Sequence, residues 1–565
     1  MKKNIFNRIS LLLMLMALAN AGIGAKERTD AEMRQIALDA MGGTDAAKAK
    51  GMAGRTAVKL AKAERTYNIY TLDGAGSVIV SRDDRFAPVL AYAKGDLSGD
   101  GHSDGFNWWL KATAAAMEEA MESDEAPVAY AANWKFSAVE PLVKSLWGQE
   151  SMPFNALTPV VGGNRSLNGC AAVVLSELLY YHKYPESASF IGSYTTYGET
   201  TFHQVNVKST YDWSMFQDCY GTYSLDGSHT NTAYAGYSPQ KGRAVAQLML
   251  DCGYAVNMQF GPVSAAVNMD VPLALVNCFN YSNEGTKFYF KDFYSDFEWS
   301  RMIHDELSKG YPVALLGTDP EIGYGHIFVG HGWDENGLVA IEWGWTGIDN
   351  GYYSLDLLKS SKYAFTESVG MVTAHPYKLS TDAYHSIWVT DDPYTLKYNN
   401  QSKSLTISLV SDIYNLDKET FNGQVGIVFE KAANGEQAYS SLTNNSSVSV
   451  KCGYGLNATT TQVSNCEFAP NTVYYVYLGS KDERETAWMP IRTIGGKLYY
   501  TLRVDAYGNA TFDDNYTIDT AVETVKAGAT ATSVKSYSLD GRMVKGSVKG
   551  LVIERDGVKT RKVVR

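Results

Sequence analysis

The stretch NGCAAVVLSELLYYHKYP, residues 168–185, decides how the rest of the chain is read. Val174, Leu175, Leu178, Leu179 and Tyr181 recur at helical spacing, which predicts a helix from Cys170 that stops before Pro185. Asn168-Gly169 offers a cap and a tight backbone approach just ahead of it. A helix N-terminus presents unpaired N–H groups and roughly half a positive charge. That favours the thiolate of a cysteine whose reference pKa is about 8.5. Cysteine is scarce here, six in 565 residues, so the placement carries information. A buried structural cysteine remains the alternative on these residues alone.

Working outward, a nucleophilic thiolate needs a base to take its proton and later return it. Of nine histidines, His326 in GYGHIFVGHGWD (323–334) stands out, because it opens a predicted strand and follows Gly325. His331, five residues on, falls on the opposite face of that strand. PVALLG, HIFVGHGW and LVAIEWGW read as strands, with a turn at 334–337, and EWSRMIHDELSKG reads as a helix ended by Gly310. Residues 138–375 are therefore mixed α and β. After about residue 380 the strands SLTISLV, QVGIVFE, TVYYVYLGS and KLYYTLRVDAYG predict a β-sandwich over 376–519.

The ends carry different signals. Lys2, Lys3 and Arg8, the apolar run Leu11–Leu18 and the small residues Ala19-Asn20-Ala21 fit a secretory signal peptide at 1–21. No later segment has the ~18 uninterrupted apolar residues of a membrane span, so a secreted or surface protein is expected. A net charge of −11 argues against nucleic acid as partner. Export permits disulfides, and Cys452 and Cys466 lie close enough in sequence to pair. No CxxC pair or zinc-type His spacing occurs, so neither metal nor cofactor is expected. GDLSGDGHSD (95–104) imitates a calcium loop but lacks the closing acid, and reads as a turn.

Taken together, Gly-Cys before an apolar helix ending in YYHKYP, then GHIFVGHGWD, then EWGWTGIDNGYYSLDLL (342–358), resemble the streptopain family of papain-like cysteine peptidases. LVKSLWGQESMPFNALTP (142–159) resembles the opening of that family's mature enzymes. The resemblance covers 138–375 and implies an α+β, papain-like domain: a helical subdomain plus an antiparallel β subdomain. It implies Cys170 as nucleophile, His326 as general base and acid, and Gln149 as side-chain donor to the oxyanion hole. It places Trp343 over the imidazole. Gly325 and FGPVSAAVN (260–268), with Ser264 and Ala266, would form the substrate cleft; the family has serine where this chain has Ala266. The family also has asparagine where this chain has Glu342, which either orients His326 or points away from it.

Under the same resemblance, residues 22–137 form an inhibitory propeptide, VIVSRDDRFAPVLAY (78–92) being its most similar stretch, with cleavage expected around 124–139. An independent ligand-binding module is the other reading of that region. SLDGRMVKG and KGLVIERDGVKTRKVV, within 520–565, resemble the C-terminal sorting module of the Bacteroidetes type IX secretion route. The expected partners are protein or peptide substrates, the chain's own propeptide and the secretion machinery. Two rival readings stand beside the zymogen of a secreted endopeptidase: a Cys–His transglutaminase or amidase, and a surface adhesin with a degenerate peptidase core.

Overall fold

The structure, a computed structural model, describes residues 26–42, 58–72, 76–122, 136–221, 236–318, 325–355, 358, 369–392, 394–443, 445–496 and 498–513, and four strands between 535 and 564. The leader at 1–21 and most of the expected cleavage stretch lie outside the described residues.

The leading segment sets a helix, α1 (Asp30–Gly42), against strands β1 (Val58–Ala63), β2 (Tyr67–Leu72), β3 (Gly76–Ser81) and β4 (Val89–Ala93). Met33, Ala37 and Met41 of α1 close over Tyr70, Val78 and Val80 as a small core of their own. The 95–104 stretch is a turn, as expected, and it opens α2 (Asp104–Glu122). Phe106, Trp108, Trp109 and Met117 of α2 belong to a different core, that of the central domain.

The first helix of that domain is α3 (Cys170–His182), as the spacing predicted. Every residue from Ala171 to Tyr180 is buried, so the helix is held by packing on all sides rather than by an amphipathic face. Lys183, in the left-handed conformation at φ 51°, ends it ahead of Pro185. Next come the hairpin β5 (Ser187–Thr196) and β6 (His203–Thr210), then α4 (Pro239–Ala255), α5 (Asp270–Asn277), β7 (Phe288–Phe290) and α6 (Asp296–Ser308). α6 starts in a reciprocal cap, Ser295 accepting from the Glu298 N–H while the Glu298 carboxylate accepts from the Ser295 N–H. β8 (Val313–Thr318), β9 (Gly325–Trp333), β10 (Val339–Glu342), β11 (Gly351–Tyr353) and β12 (Gly370–Val372) complete the domain.

One antiparallel sheet runs through both parts, in the order β1-β2-β3-β4-β11-β10-β9-β8-β12-β7. β4 joins β11 with Ala91, Tyr92 and Ala93 opposite Tyr353, Tyr352 and Gly351. The α+β architecture expected from the sequence is therefore present, and the leading segment extends its sheet.

Between residues 388 and 513 a second core lies among sheets of three, four and seven strands. Leu405, Ile407, Val425, Ile427, Val476, Leu478 and Leu502 fill it. This sandwich docks on the central domain through buried polar contacts. The Lys287 ammonium donates to Asp417 at 2.6 Å and to the His385 carbonyl at 3.0 Å, both side chains being 1% exposed. Cys452 and Cys466 are separate free thiols, so the pairing their spacing allowed is not made. Near the C-terminus, strands Lys535–Tyr537, Met543–Val544, Leu551–Arg555 and Thr560–Val564 form a four-stranded sheet.

Candidate active site

Gly169 is the N-cap of α3, at φ 82°. A Cβ there would meet Met258 Cε at 2.7 Å, so glycine both permits the left-handed backbone and makes room. Asn168 does not cap the helix. Its N–H goes to the Gln149 carbonyl at 3.0 Å and its side-chain amide to Met249 Sδ at 3.2 Å. The residue thus ties the Gln149 segment to the foot of α3 rather than satisfying the helix terminus.

β9 pairs with β8 so that His326 faces Gly317 and Gly325 faces Thr318. The next residue, Ile327, brings its backbone N–H near the Cys170 sulfur. Cys170, His326, Gln149, Gly325, Ser264 and Ala266 all line one cavity of about 530 Å³, together with Thr318, Trp345 and Asp104. Six of the site residues named from the sequence are therefore brought together.

Trp343 is not placed as expected, and of the two readings of Glu342 the structure has it pointing away. The ring that meets His326 belongs to Trp345, edge-on with centroids 6.3 Å apart. Trp343 lies 4.6 Å from Phe328 and 5.0 Å from Tyr353, and its indole N–H donates to the Asp349 carbonyl at 3.1 Å. Gly344 between them has φ 77°, which breaks the strand alternation and turns the second tryptophan toward the imidazole. Glu342 points away from His326. One of its oxygens accepts from the Gly344 N–H at 2.7 Å and the other from the Asn350 amide at 3.4 Å.

Ser264 is also committed elsewhere: its hydroxyl accepts from the Gly261 N–H and donates to the Leu167 carbonyl, shaping the cleft loop from within. Val263 and Val267 of that loop are exposed and line the cavity. His331 is buried on the other side, its Nδ1 accepting from the Val143 N–H at 3.3 Å, and burial pushes its pKa down to about 4.

The electrostatics depart from the expectation drawn from the helix terminus. Burial pushes the Cys170 thiol up, and the Asp104 carboxylate at the start of α2 adds to that. The N–H groups of Ile327, Ala171 and Cys170 pull it back, but the net shift is upward, so the neutral thiol is favoured while α2 is in place. α2 also reaches the strand position opposite the base. A Cβ on Gly317 would fall 2.0 Å from the Trp108 ring, so that indole occupies the place of a side chain directly across the ladder from His326. Asp349 accepts from the Ser103 N–H at 2.7 Å and meets His102 Nδ1 at 2.8 Å, fixing the start of α2 to the loop after β10. Asp104, Trp108 and Trp345 were not singled out in the sequence. Trp345 was visible as the second of the paired tryptophans, and Asp104 sat in the false calcium loop.

Residues 147–353 match the profile of the Peptidase C10 family. The chain is 30% identical over 303 residues to the thiol protease/hemagglutinin PrtT of Porphyromonas gingivalis, covering 50% of this chain and 33% of that one. It spans only a third of that relative's length. It is 29% identical over 317 residues to streptopain of Streptococcus pyogenes, covering 52% of this chain and 74% of streptopain. Among solved structures, a prointerpain A fragment from Prevotella intermedia is 29% identical, covers 56% of this chain and 98% of its own, and superposes with a TM-score of 0.47.

Proposed function

We propose that the chain, whose residues 147–353 match the Peptidase C10 family and which is 29% identical to streptopain, is a secreted cysteine endopeptidase, made as a zymogen and working through Cys170 and His326. The observation that carries this reading is their meeting in one cavity, with Gln149 beside them.

In the proposed reaction His326 takes the Cys170 proton and the thiolate adds to the scissile carbonyl carbon. The resulting oxyanion accepts from the Cys170 N–H and the Gln149 side-chain amide, donors that stabilise charge present only in the transition state. Collapse breaks the C–N bond, and His326 returns its proton to the leaving amine. Water, deprotonated by the same imidazole, then hydrolyses the thioester and restores the thiol. Trp345 shields the imidazole from water on one side. The exposed valines of the cleft loop favour an apolar substrate side chain.

Residues 22–137 act as the inhibitory propeptide in this reading. α2 sets Trp108 beside the base and Asp104 beside the nucleophile, and cleavage between α2 and residue 139 would release both. The four strands after residue 535 serve as the sorting module at the C-terminus, and the sandwich at 376–519 stays docked on the peptidase domain. The test is hydrolysis of denatured casein by the purified chain after thiol activation. Activity abolished by alkylation and in C170A supports the reading. Incorporation of a primary amine in place of hydrolysis points to the transferase, and inactivity of the processed wild-type chain points to the adhesin.

A further inference from the structure

Glu177, two turns along α3 from Cys170, and Glu342, at the end of β10, are both buried, 0% and 1% exposed. Their backbone partners, Trp147 and Gly344, flank the bridged residues Gly148 and Trp345, and each carboxyl group raises or lowers the other's pKa as a near neighbour. Glu177 Oε1 accepts from the Trp147 N–H at 3.4 Å, while its Oε2 is buried without a hydrogen-bond partner, as is the hydroxyl of neighbouring Ser145. Both oxygens of Glu342 already accept N–H groups, from Gly344 and Asn350. Two ionised carboxylates only accept, so they cannot bond to one another, and burying both side by side is strongly unfavourable.

The geometry points to one proton held between them: Glu177 is a neutral carboxyl whose Oε2–H donates to the Glu342 carboxylate, and this proton positions the Gln149 and Trp345 segments around Cys170. The inference rests on the peptidase reading and adds two positioning residues to it. Trp147, bonded to Glu177, lies two residues before Gln149. Gly344, bonded to Glu342, immediately precedes Trp345. The two segments are also bridged to each other, Gly148 to Trp345, and the Thr346 N–H donates to the Trp147 carbonyl at 2.8 Å. The pair therefore ties α3 and β10 to both arms of the site.

From the elements packed around them the carboxyls meet Ser145, Trp147 N–H, Gly344 N–H and Asn350; the titratable group each one meets is the other. Burial raises Glu177 well above the ordinary carboxyl range, and the Glu342 charge adds to it; burial raises Glu342 as well. A proton shared by the two acids supplies the donor that neither carboxylate has. Loss of that proton at alkaline pH leaves two carboxylates in contact, which forces the arms apart.

Glu177→Gln and Glu342→Gln each replace the shared proton with an amide. In the activated enzyme the wild type should lose kcat, with KM little changed, as pH rises through the pair's titration. Either variant should shift that loss to higher pH. Infrared spectra of the full-length C170A chain at neutral pH should show the carbonyl stretch of a buried protonated carboxyl, and E177Q should remove it. Superimposed kcat–pH profiles overturn the positioning role, and absence of the band overturns the shared proton. The band is read on a chain that cannot cleave, so its absence leaves the peptidase reading intact. Conversely, an inactive wild-type enzyme that shows the band refutes the peptidase reading alone.

Discussion

Trp108 is the residue through which the leading segment grips the peptidase sheet, and Trp108→Ala measures that grip. The indole is 6% exposed, fills the place of a Gly317 side chain and lies 6.0 Å from the Phe328 ring. A buried aromatic of this size removes about 150–250 Å² from water, worth roughly 4–6 kcal/mol at about 25 cal/mol per Å². Partial collapse of the site lowers the expected cost of truncation to about 3–5 kcal/mol. At ~1.4 kcal/mol per decade, that shifts the balance between docked and undocked α2 by about two to three and a half powers of ten. In the C170A background, denaturant titration with limited proteolysis should show α2 becoming susceptible before the remainder of the domain. In the active chain, casein hydrolysis should appear earlier. A W108A chain that keeps both the wild-type protease resistance and the wild-type lag would refute the assignment of α2 as an inhibitory clamp.

Three further outcomes follow from the same structure. Gln149→Ala should lower kcat about 10²–10³-fold, the loss of one oxyanion donor, with unchanged circular dichroism; steady-state kinetics on a peptide substrate checks it. Asp417→Ala leaves the Lys287 ammonium buried with the His385 carbonyl at 3.0 Å and should cost about 3–5 kcal/mol, read from urea titration as early undocking of the sandwich. Burial alone would lower His375, but Glu306 and Asp382, at 2.6 and 3.0 Å, outweigh it and raise its pKa. Its contribution to stability is then complete below the unfolded imidazole pKa and is lost as pH rises through the raised native value. Urea midpoints across that window should fall in the wild type and stay flatter in His375→Gln.

The local features of the site were legible because they rest on short-range pattern. An apolar run with helical spacing gave α3 from Cys170, and the 334–337 turn gave the β9–β10 hairpin with His326 at its start. What escaped depends on long-range contact. Nothing in residues 58–93 tells that their strands continue the peptidase sheet through β11. The resemblance put Trp343 over the imidazole, but at Gly344 the backbone leaves the β region and Trp345 takes that place. Asn168 has the residue type of a cap, yet its side chain is drawn to Met249. Glu177 looked like one polar position on a helix; its meaning lies in Glu342, 165 positions later, which no periodicity connects to it.

The pairing of β4 with β11 has a consequence for the processed molecule. On the proposed maturation, removal of residues 26–122 would take from Gly351, Tyr352 and Tyr353 the strand that now satisfies their outer amides and carbonyls, and from Tyr352 the ring stacked on it at 4.9 Å. That step would expose a fresh sheet margin on the central domain, sticky toward any extended chain. Its brevity, three residues, limits how firmly a stray strand can adhere there.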